Sequence, residues 1–434
     1  MPPVAYSWGR YPRTAQTLVD VTDRHACLPR PASSMLPYGN GRSYGDSCLN
    51  ADGDLLRTRA LDRFIAFDPT TGVLSCEAGV LFSEILNLAV PQGWFLPVTP
   101  GTCFVTIGGA IANDVHGKNH HRAGTIGHHV VSLELLRSDG QRLQCSAAEN
   151  ADWFSATIGG LGLTGLITRV EIHLRRIASP WMSTETIKFP DVDTFFELSA
   201  ASERDYEYTV AWIDCAAKGK ALGRGLFSRA NHAPALADQR PDAPKRRLTM
   251  RVTPPVSLVN PLSLRAFNWA YYHRQRQPAW RATTRYEAFF YPLDGIGQWN
   301  RMYGPRGFLQ YQCVVPPGQS ASTIPRLIEC ISRAGGGSFL AVLKQFGDIP
   351  SLGMLSFPRP GTTLALDFPN AGPSTFALLD QLDTLVAASG GAVYPAKDAR
   401  MSGTHFRQYF PGWEAFSRFI DPRFSSSFWR RVME

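Results

Sequence analysis

The sequence predicts an α+β fold of two domains, and three observations predict it. A chain of 434 residues with 44% hydrophobic and 11% aromatic content holds more apolar mass than one core usually buries. Its first half reads as short strands and helices around glycine-rich turns. Its second half runs strand, helix, strand twice over, an order that suits an antiparallel sheet with its helices on one face. We place a first domain at 1–178, a substrate domain at 179–393, and at 394–434 a C-terminal segment that returns to the first domain.

The elements follow from local signals. Residues 64–68 and 73–77, joined by Pro69, Thr70, Thr71 and Gly72, form a hairpin. Leu81, Ile85, Leu88 and Ala89 recur at helical spacing, and Pro91 and Gly93 end that helix. A strand over 94–98 follows. Residues 130–137 and 141–145 make a second hairpin about Ser138, Asp139 and Gly140. In the second half, 308–315 is a strand, Ile324, Leu327, Ile328 and Ile331 mark a helix closed by Gly335, Gly336 and Gly337, and 339–343 is a strand. The unit repeats with a strand at 362–368, a helix capped by Ser374 and ended by Gly390 and Gly391, and a strand at 392–396. No repeat of solenoid period is present.

Composition narrows the function. No stretch reaches eighteen uninterrupted apolar residues, and MPPVAYSWGRYPR lacks the apolar run of a secretion signal, so we expect a cytoplasmic chain or one peripheral on a membrane. Eight cysteines stand with no two within fifteen residues, which excludes CxxC redox and zinc-ribbon patterns and leaves buried free thiols. The net charge of +8 points to nucleic acid only until it is located. Nine Lys/Arg (218, 220, 224, 229, 240, 245, 246, 247 and 251) stand against Asp238 and Asp242 between 216 and 253, leaving +1 for the rest. With three prolines and no periodicity this reads as a mobile basic loop, either a solvated linker or a patch for anionic headgroups or a phosphate-bearing substrate. We expect no nucleic-acid partner.

Two stretches stand out among 38 glycines. In PYGNGRSYGDS (37–47), Gly39, Gly41 and Gly45 make either a plain turn or an anion nest of backbone N–H groups, with Arg42 and Ser43 as added donors. The spacing is not GxGxxG, which disfavours a nicotinamide site. In the second stretch (100–121), Gly108, Gly109, Ala110 and Ala112 strip bulk from a helix start, so that a pyrophosphate or flat ring could approach backbone amides. Residues 159–165 repeat the theme. His116, His120, His121, His128 and His129 invite a metal, but adjacent histidines point apart and no Cys or carboxylate cluster completes a shell, so we expect none. A histidine here bonds a cofactor or the backbone, and Lys118 beside it favours a phosphate or an anionic ring.

The motifs GRSYGD (41–46), PGTCFVTIGGAIANDVHGKNHHRAG (100–124), GLGLTGLI (160–167), FLQYQCVVP (308–316) and YPAKDAR (394–400) resemble those of the flavoprotein oxidases of decaprenylphosphoryl-β-D-ribose 2′-epimerisation, a branch of the vanillyl-alcohol-oxidase (PCMH-type) FAD proteins. The resemblance runs in register from about residue 35 to the C-terminus and is weakest in the basic segment. It implies a PCMH-type FAD-binding first domain. Its pyrophosphate loop falls on Gly39, Asn40, Gly41, Arg42, Ser43 and Tyr44. Its second FAD segment falls on Gly101, Thr102, Thr106, Gly108, Gly109, Ala110, Asn113, His116, Gly117, Asn119 and His120, with Gly162 and Ile167 beyond. Around ring and substrate it implies Lys118, Gln310, Gln312, Lys344, Tyr394 and Lys397. Some relatives bond the flavin covalently through the counterpart of His116; the epimerase branch does not, so noncovalent FAD is implied here.

Oxidising a secondary alcohol moves a hydride to flavin N5 while the hydroxyl proton leaves, so an acceptor must sit near that oxygen and positive charge near N1 favours the reduced ring. The resemblance assigns such roles to Lys397, Gln312, Lys118 and Tyr44, although from sequence alone Lys397, beside Asp398 and Arg400, also reads as a surface lysine. Where mycobacterial-type members place the cysteine that covalent nitroaromatic inhibitors attack, this chain has Ala365. The reaction implied is oxidation of the 2′-hydroxyl of a polyprenylphosphoryl ribose, with a separate NAD(P)H-dependent reductase finishing the epimerisation and peripheral membrane contact. An oxidase of free sugars, alditols or aldonolactones is the alternative, and a basic binding protein on a flavin scaffold a third reading.

Overall fold

The computed structural model describes residues 5–30, 33–235 and 248–434. In the N-terminal part a five-stranded antiparallel sheet runs in the order Phe64–Phe67, Val73–Glu77, Leu166–His173, Val130–Leu136, Arg142–Cys145. Leu74, Cys76, Leu133, Leu135, Val170 and Ile172 alternate onto one face and bury against Phe82, Ile85 and Ala89 of the helix Phe82–Ala89 and against Ile107 and Ile111. Both expected hairpins are present. Gly72 takes φ +75° in the first, and a Cβ there would lie 2.2 Å from the Trp94 ring. The expected strand at 94–98 pairs only over Trp94–Phe95, because Pro97 has no N–H to give a ladder. A parallel three-stranded sheet, with Asp54–Arg57 between Thr17–Asp20 and Met35–Tyr38, shares a small core with Leu136 and Leu166.

The C-terminal part holds an eight-stranded, wholly antiparallel sheet in the order Ala279–Arg285, Trp181–Phe189, Gly225–His232, Tyr208–Ile213, Val342–Phe346, Gly361–Pro369, Phe308–Val315, Ala392–Val393. The helices Val192–Ser202, Pro317–Ala334 and Pro373–Ala388 pack on it. Ile324, Leu327, Ile328 and Ile331 meet Leu364, Leu366, Phe368 and Leu309 in the main core. Three details differ from the sequence reading, the first being that the strand expected at 392–396 pairs only over Ala392–Val393, after which the chain turns back toward the N-terminal part. The strand expected at 339–343 starts at Val342, since Ser338 Oγ takes the Leu340 N–H at 3.0 Å and withholds it from the ladder. The helix expected to cap at Ser374 starts after Gly372, with Pro373 in the first turn, where a fixed φ and a missing N–H cost nothing.

The basic segment is a correction. Residues 225–232 are not loop but a strand between two partners, because Leu226, Phe227 and Ala230 bury in the sheet. Arg224 pairs with Asp214 at 2.7 Å and Arg229 with Glu185 at 2.6 Å, so neither is a free cation. Arg240, Lys245, Arg246 and Arg247, with Asp238 and Asp242, lie outside the described residues. Among the described residues no helix is long and apolar enough to cross a membrane.

After Ala392–Val393 the chain runs back along the N-terminal part. Tyr44 N–H donates to Ala396 O at 2.9 Å, and Arg431 of the last helix bridges Asp46 and Asp398 at 2.7 and 3.0 Å. Gly45 makes this approach possible, for a Cβ there would sit 1.6 Å from Asp398 O. The loop 39–47 and the segment carrying Lys397 are thus held as one unit.

Candidate functional site

A cavity of about 600 Å³ lies between the N-terminal part and the free face of the large sheet. Period-two alternation decides what that face shows. In Phe308–Val315, Leu309, Tyr311 and Cys313 enter the core while Gln310 and Gln312 face the cavity. In Gly361–Pro369, Leu364, Leu366 and Phe368 go to the core and Ala365 to the cavity; in Val342–Phe346, Leu343 goes to the core and Val342 and Lys344 to the cavity. Register sets Gln312 opposite Ala365, Gln310 opposite Asp367 and Lys344 opposite Thr363.

The opposite wall is built from the loop 39–44 and the segment 99–118. Among the described residues the backbone N–H groups of Asn40, Gly41, Arg42 and Ser43 donate no hydrogen bond within the protein. The buried Arg42 Nε also lacks a partner, while its guanidinium lies 3.9 Å over the Trp8 ring. Burial lowers the pKa of Arg42, and the charge of Asp294 nearby offsets this only in part. Four free amides and a short-handed arginine are the donor set an anion such as a pyrophosphate satisfies. Gly101, with open space where a Cβ would stand, widens the same end.

The segment at 108–110 departs from the sequence reading. Gly108 N–H donates to Ala78 O at 2.9 Å and Gly109 N–H to Thr106 Oγ1 at 3.2 Å, so these amides are already used. Their small size serves packing, since a Cβ on Gly108 would stand 2.8 Å from Ala78 Cβ. With Ala110, Asn113, Gly162 and Ile167 they offer a smooth wall suited to a flat ring. Tyr394 stacks on Phe357 at 4.5 Å and donates to Asn113 O at 2.7 Å, fixing one edge of that wall.

At the centre His116 is engaged at both ring nitrogens. Gln312 Nε2 lies 2.9 Å from its Nε2 and also donates to Thr363 Oγ1 at 3.2 Å; Lys344 Nζ lies 3.2 Å from its Nδ1 and donates to Gly117 O at 3.2 Å. Burial, then the charge of Lys344, holds His116 well below the usual imidazole range. When Lys344 is an amine the ring proton sits on Nδ1 and Nε2 accepts from Gln312; when Lys344 is an ammonium, Nδ1 accepts from it.

Three lysines converge on this cavity, and burial draws each down to about 7. Lys118 Nζ donates to Phe290 O at 3.0 Å, Lys344 caps His116, and Lys397 Nζ sits 3.9 Å over the Tyr44 ring. Burial pushes Asp367 up to about 7; it accepts from Gln310 Nε2 at 2.7 Å and from Tyr303 OH at 3.4 Å. An amine or carboxyl poised near 7 exchanges protons at neutral pH, and ammonium groups whose partners are uncharged attract an anion.

The structure brings Gly39 to Tyr44, Gly101, Thr102, Thr106, Gly108, Gly109, Ala110, Asn113, His116, Gly117, Lys118, Gly162, Ile167, Gln310, Gln312, Lys344, Ala365, Tyr394 and Lys397 to one cavity. Two candidates stand behind its wall. Asn119 Nδ2 donates to Pro97 O at 2.9 Å, and His120 is packed 4.5 Å from the Phe346 ring, its pKa lowered by burial to about 3. Sequence reasoning missed Trp8, Thr363 and Asp367. Thr363 and Asp367 share the face of Ala365 at i−2 and i+2, a signal that strand alternation could have supplied; Trp8 precedes every motif.

An FAD binding domain family matches residues 12–146. The decaprenylphosphoryl-β-D-ribose oxidase of Mycolicibacterium smegmatis is 36% identical over 98% of this chain and 96% of its own length. An uncharacterised protein of Streptomyces coelicolor, from the mprA 5′ region, is 32% identical over 81% of this chain and all of its own. Mouse L-gulonolactone oxidase is 31% identical over 31% of this chain and 30% of its own.

Proposed function

Because this chain belongs to the decaprenylphosphoryl-β-D-ribose oxidase family, we propose that it uses FAD to oxidise the 2′-hydroxyl of a polyprenylphosphoryl-β-D-ribose to the 2′-keto lipid. It is an FAD-dependent oxidoreductase acting on a CH–OH group. The observation that carries the substrate reading is the convergence of Lys118, Lys344 and Lys397, each drawn to about 7, on a cavity that also holds a free-amide loop. The free amides of residues 40–43 and Arg42 suit the cofactor's pyrophosphate, which leaves Lys118 and Lys344 for a second anion, the lipid phosphate.

Bound FAD supplies the two-electron acceptor. The wall of Gly108, Gly109, Ala110, Asn113 and Gly117 would hold its ring, with Gly162, Ile167 and Tyr394 at the edges. Gln312, fixed by His116 and Thr363, orients the sugar hydroxyl, and Gln310 is held by Asp367. Lys397, seated on Tyr44, takes the hydroxyl proton as an amine and holds positive charge as an ammonium. The 2′-keto product needs a separate NAD(P)H-dependent reductase, and a prenyl tail implies peripheral membrane contact. On this reading 1–178 hold the cofactor, 179–393 take the substrate and 394–434 return to the first part.

Anaerobic titration with a short-chain prenylphosphoryl ribose bleaches the flavin band, while free ribose and an alditol do not. Bleaching by the free sugars instead would move the protein to the general sugar oxidases.

Two further outcomes follow from the same residues. FAD is held noncovalently, since both His116 ring nitrogens already have partners; acid precipitation leaves the yellow colour in the supernatant, and colour in the pellet would sink this. The protein also escapes covalent trapping by nitroaromatic inhibitors. Ala365 has no thiol, and Cys48, the cavity-lining cysteine among the described residues, is pushed by burial to about 12. Intact-mass analysis finds no adduct on this protein and one on Ala365→Cys.

A further inference from the structure

The helix Pro261–His273 buries little. Leu264 and Asn268 are its buried residues, and Phe267 leans on Phe339 at 4.7 Å. On its outer side Leu262, Arg265, Ala266, Trp269, Ala270 and His273 recur at spacings of three and four and form one exposed stripe. Leu262 is 79% exposed and Trp269 60%. The chain on either side continues the pattern, with Val252 and Val256 exposed before the helix and Trp280 after it. Eight of the thirteen large hydrophobic side chains exposed among the described residues fall within 248–280, a concentration that a surface facing only water does not carry.

Charge says what covers it. Residues 248–281 contain five arginines and neither Asp nor Glu. Arg281 pairs with Glu185, but Arg251, Arg265, Arg274 and Arg276 have no carboxylate partner among the described residues. Exposed Trp and Leu interleaved with unpaired arginine is the composition of a segment that lies in a negatively charged lipid interface, with apolar groups below the headgroups and guanidinium groups on the phosphates. The position fits. Arg274, one residue past the helix, is exposed and also lines the cavity, as does Tyr271 beneath it at 3.8 Å from the guanidinium, so the cavity meets the surface here.

We propose that the outer face of Pro261–His273, with the exposed residues flanking it, docks on an anionic lipid bilayer and sets the cavity mouth at Arg274 against the membrane. This rests on the lipid-substrate reading for its purpose: a prenyl tail stays in the bilayer while its phosphoribosyl head passes Arg274. It places the contact on 248–281 rather than on the basic segment as a whole.

The test is co-sedimentation of the FAD-loaded protein with phosphatidylcholine vesicles, with and without phosphatidylglycerol. The protein partitions onto the anionic vesicles and not onto the neutral ones. Leu262→Ser with Trp269→Ser lowers the partition coefficient by at least about tenfold, and Arg265→Glu with Arg276→Glu abolishes the preference for phosphatidylglycerol. Both double variants keep flavin reduction by the soluble short-chain lipid, which also shows that they fold. Absent vesicle binding, or binding that neither variant changes, overturns the proposal. So does a concentration-dependent dimer that Leu262→Ser with Trp269→Ser dissolves in a protein that ignores vesicles, because the stripe then covers a second copy. If vesicle binding falls as expected while the short-chain lipid bleaches no flavin even in the parent protein, the substrate reading fails and the docking surface stands.

Discussion

Lys397→Met lowers the rate of flavin reduction by the prenylphosphoryl ribose by roughly 10²- to 10⁴-fold, the range in which a positioned proton acceptor contributes. Methionine keeps the unbranched stem that crosses the Tyr44 ring but removes the amine. Two functions go with it. An amine drawn to about 7 by burial can take the proton that leaves the hydroxyl, and its ammonium form favours negative charge on whatever lies beside it. Lys397→Arg separates the two, because a guanidinium keeps the charge and cannot take a proton near neutrality. The arginine variant therefore holds the flavin reduction potential near that of the parent and stays slow, whereas the methionine variant is slow with a lowered potential. Rapid-mixing absorbance gives the rate and a dye-coupled titration the potential. A methionine variant within a few-fold of the parent rate would remove Lys397 from the chemistry.

Much of this site was legible because its parts are local. The free amides at 40–43 follow from glycines that let consecutive N–H groups point one way, and the face carrying Gln310 and Gln312 follows from alternation with Leu309, Tyr311 and Cys313. Other features depend on approaches between distant segments. Gly45 matters because of Asp398, more than 350 positions away, and nothing near Gly45 announces it. The basic segment misled for the same reason. Arg229 is neutralised by Glu185, 44 positions upstream, and a count of charges along the chain cannot see that pairing. The glycines at 108 and 109 misled in the opposite sense, since amides that look free in sequence are consumed by Ala78 and Thr106.

The second large effect is a pair of opposed pH slopes from one set of lysines. Lys118, Lys344 and Lys397 sit near 7 in the folded protein without ligand, against about 10.4 in an unfolded chain. A phosphate held by Lys118 and Lys344 favours their ammonium forms, so above pH about 7 binding takes up protons, and the dissociation constant for the short-chain lipid rises about tenfold per pH unit for each of these two lysines that must be recharged, while Lys397 stays an amine. Stability of the ligand-free protein moves the other way. Between about 7 and about 10 the unfolded chain binds more protons than the folded one, so these lysines make stability rise with pH across that window. Asp367, raised to about 7, binds its proton in the folded state and not in the unfolded one between about 4 and 7, so its contribution falls as pH rises there. Together they set a minimum in ligand-free stability near pH 7, where a bound anion stabilises the protein strongly. Thermal melts and calorimetric titrations across this range measure both slopes. Lys118→Met with Lys344→Met removes the pH slope of binding and leaves Lys397 alone among them to raise stability with pH, and a dissociation constant of the parent independent of pH between about 7 and 9 would show that Lys118 and Lys344 do not hold the phosphate.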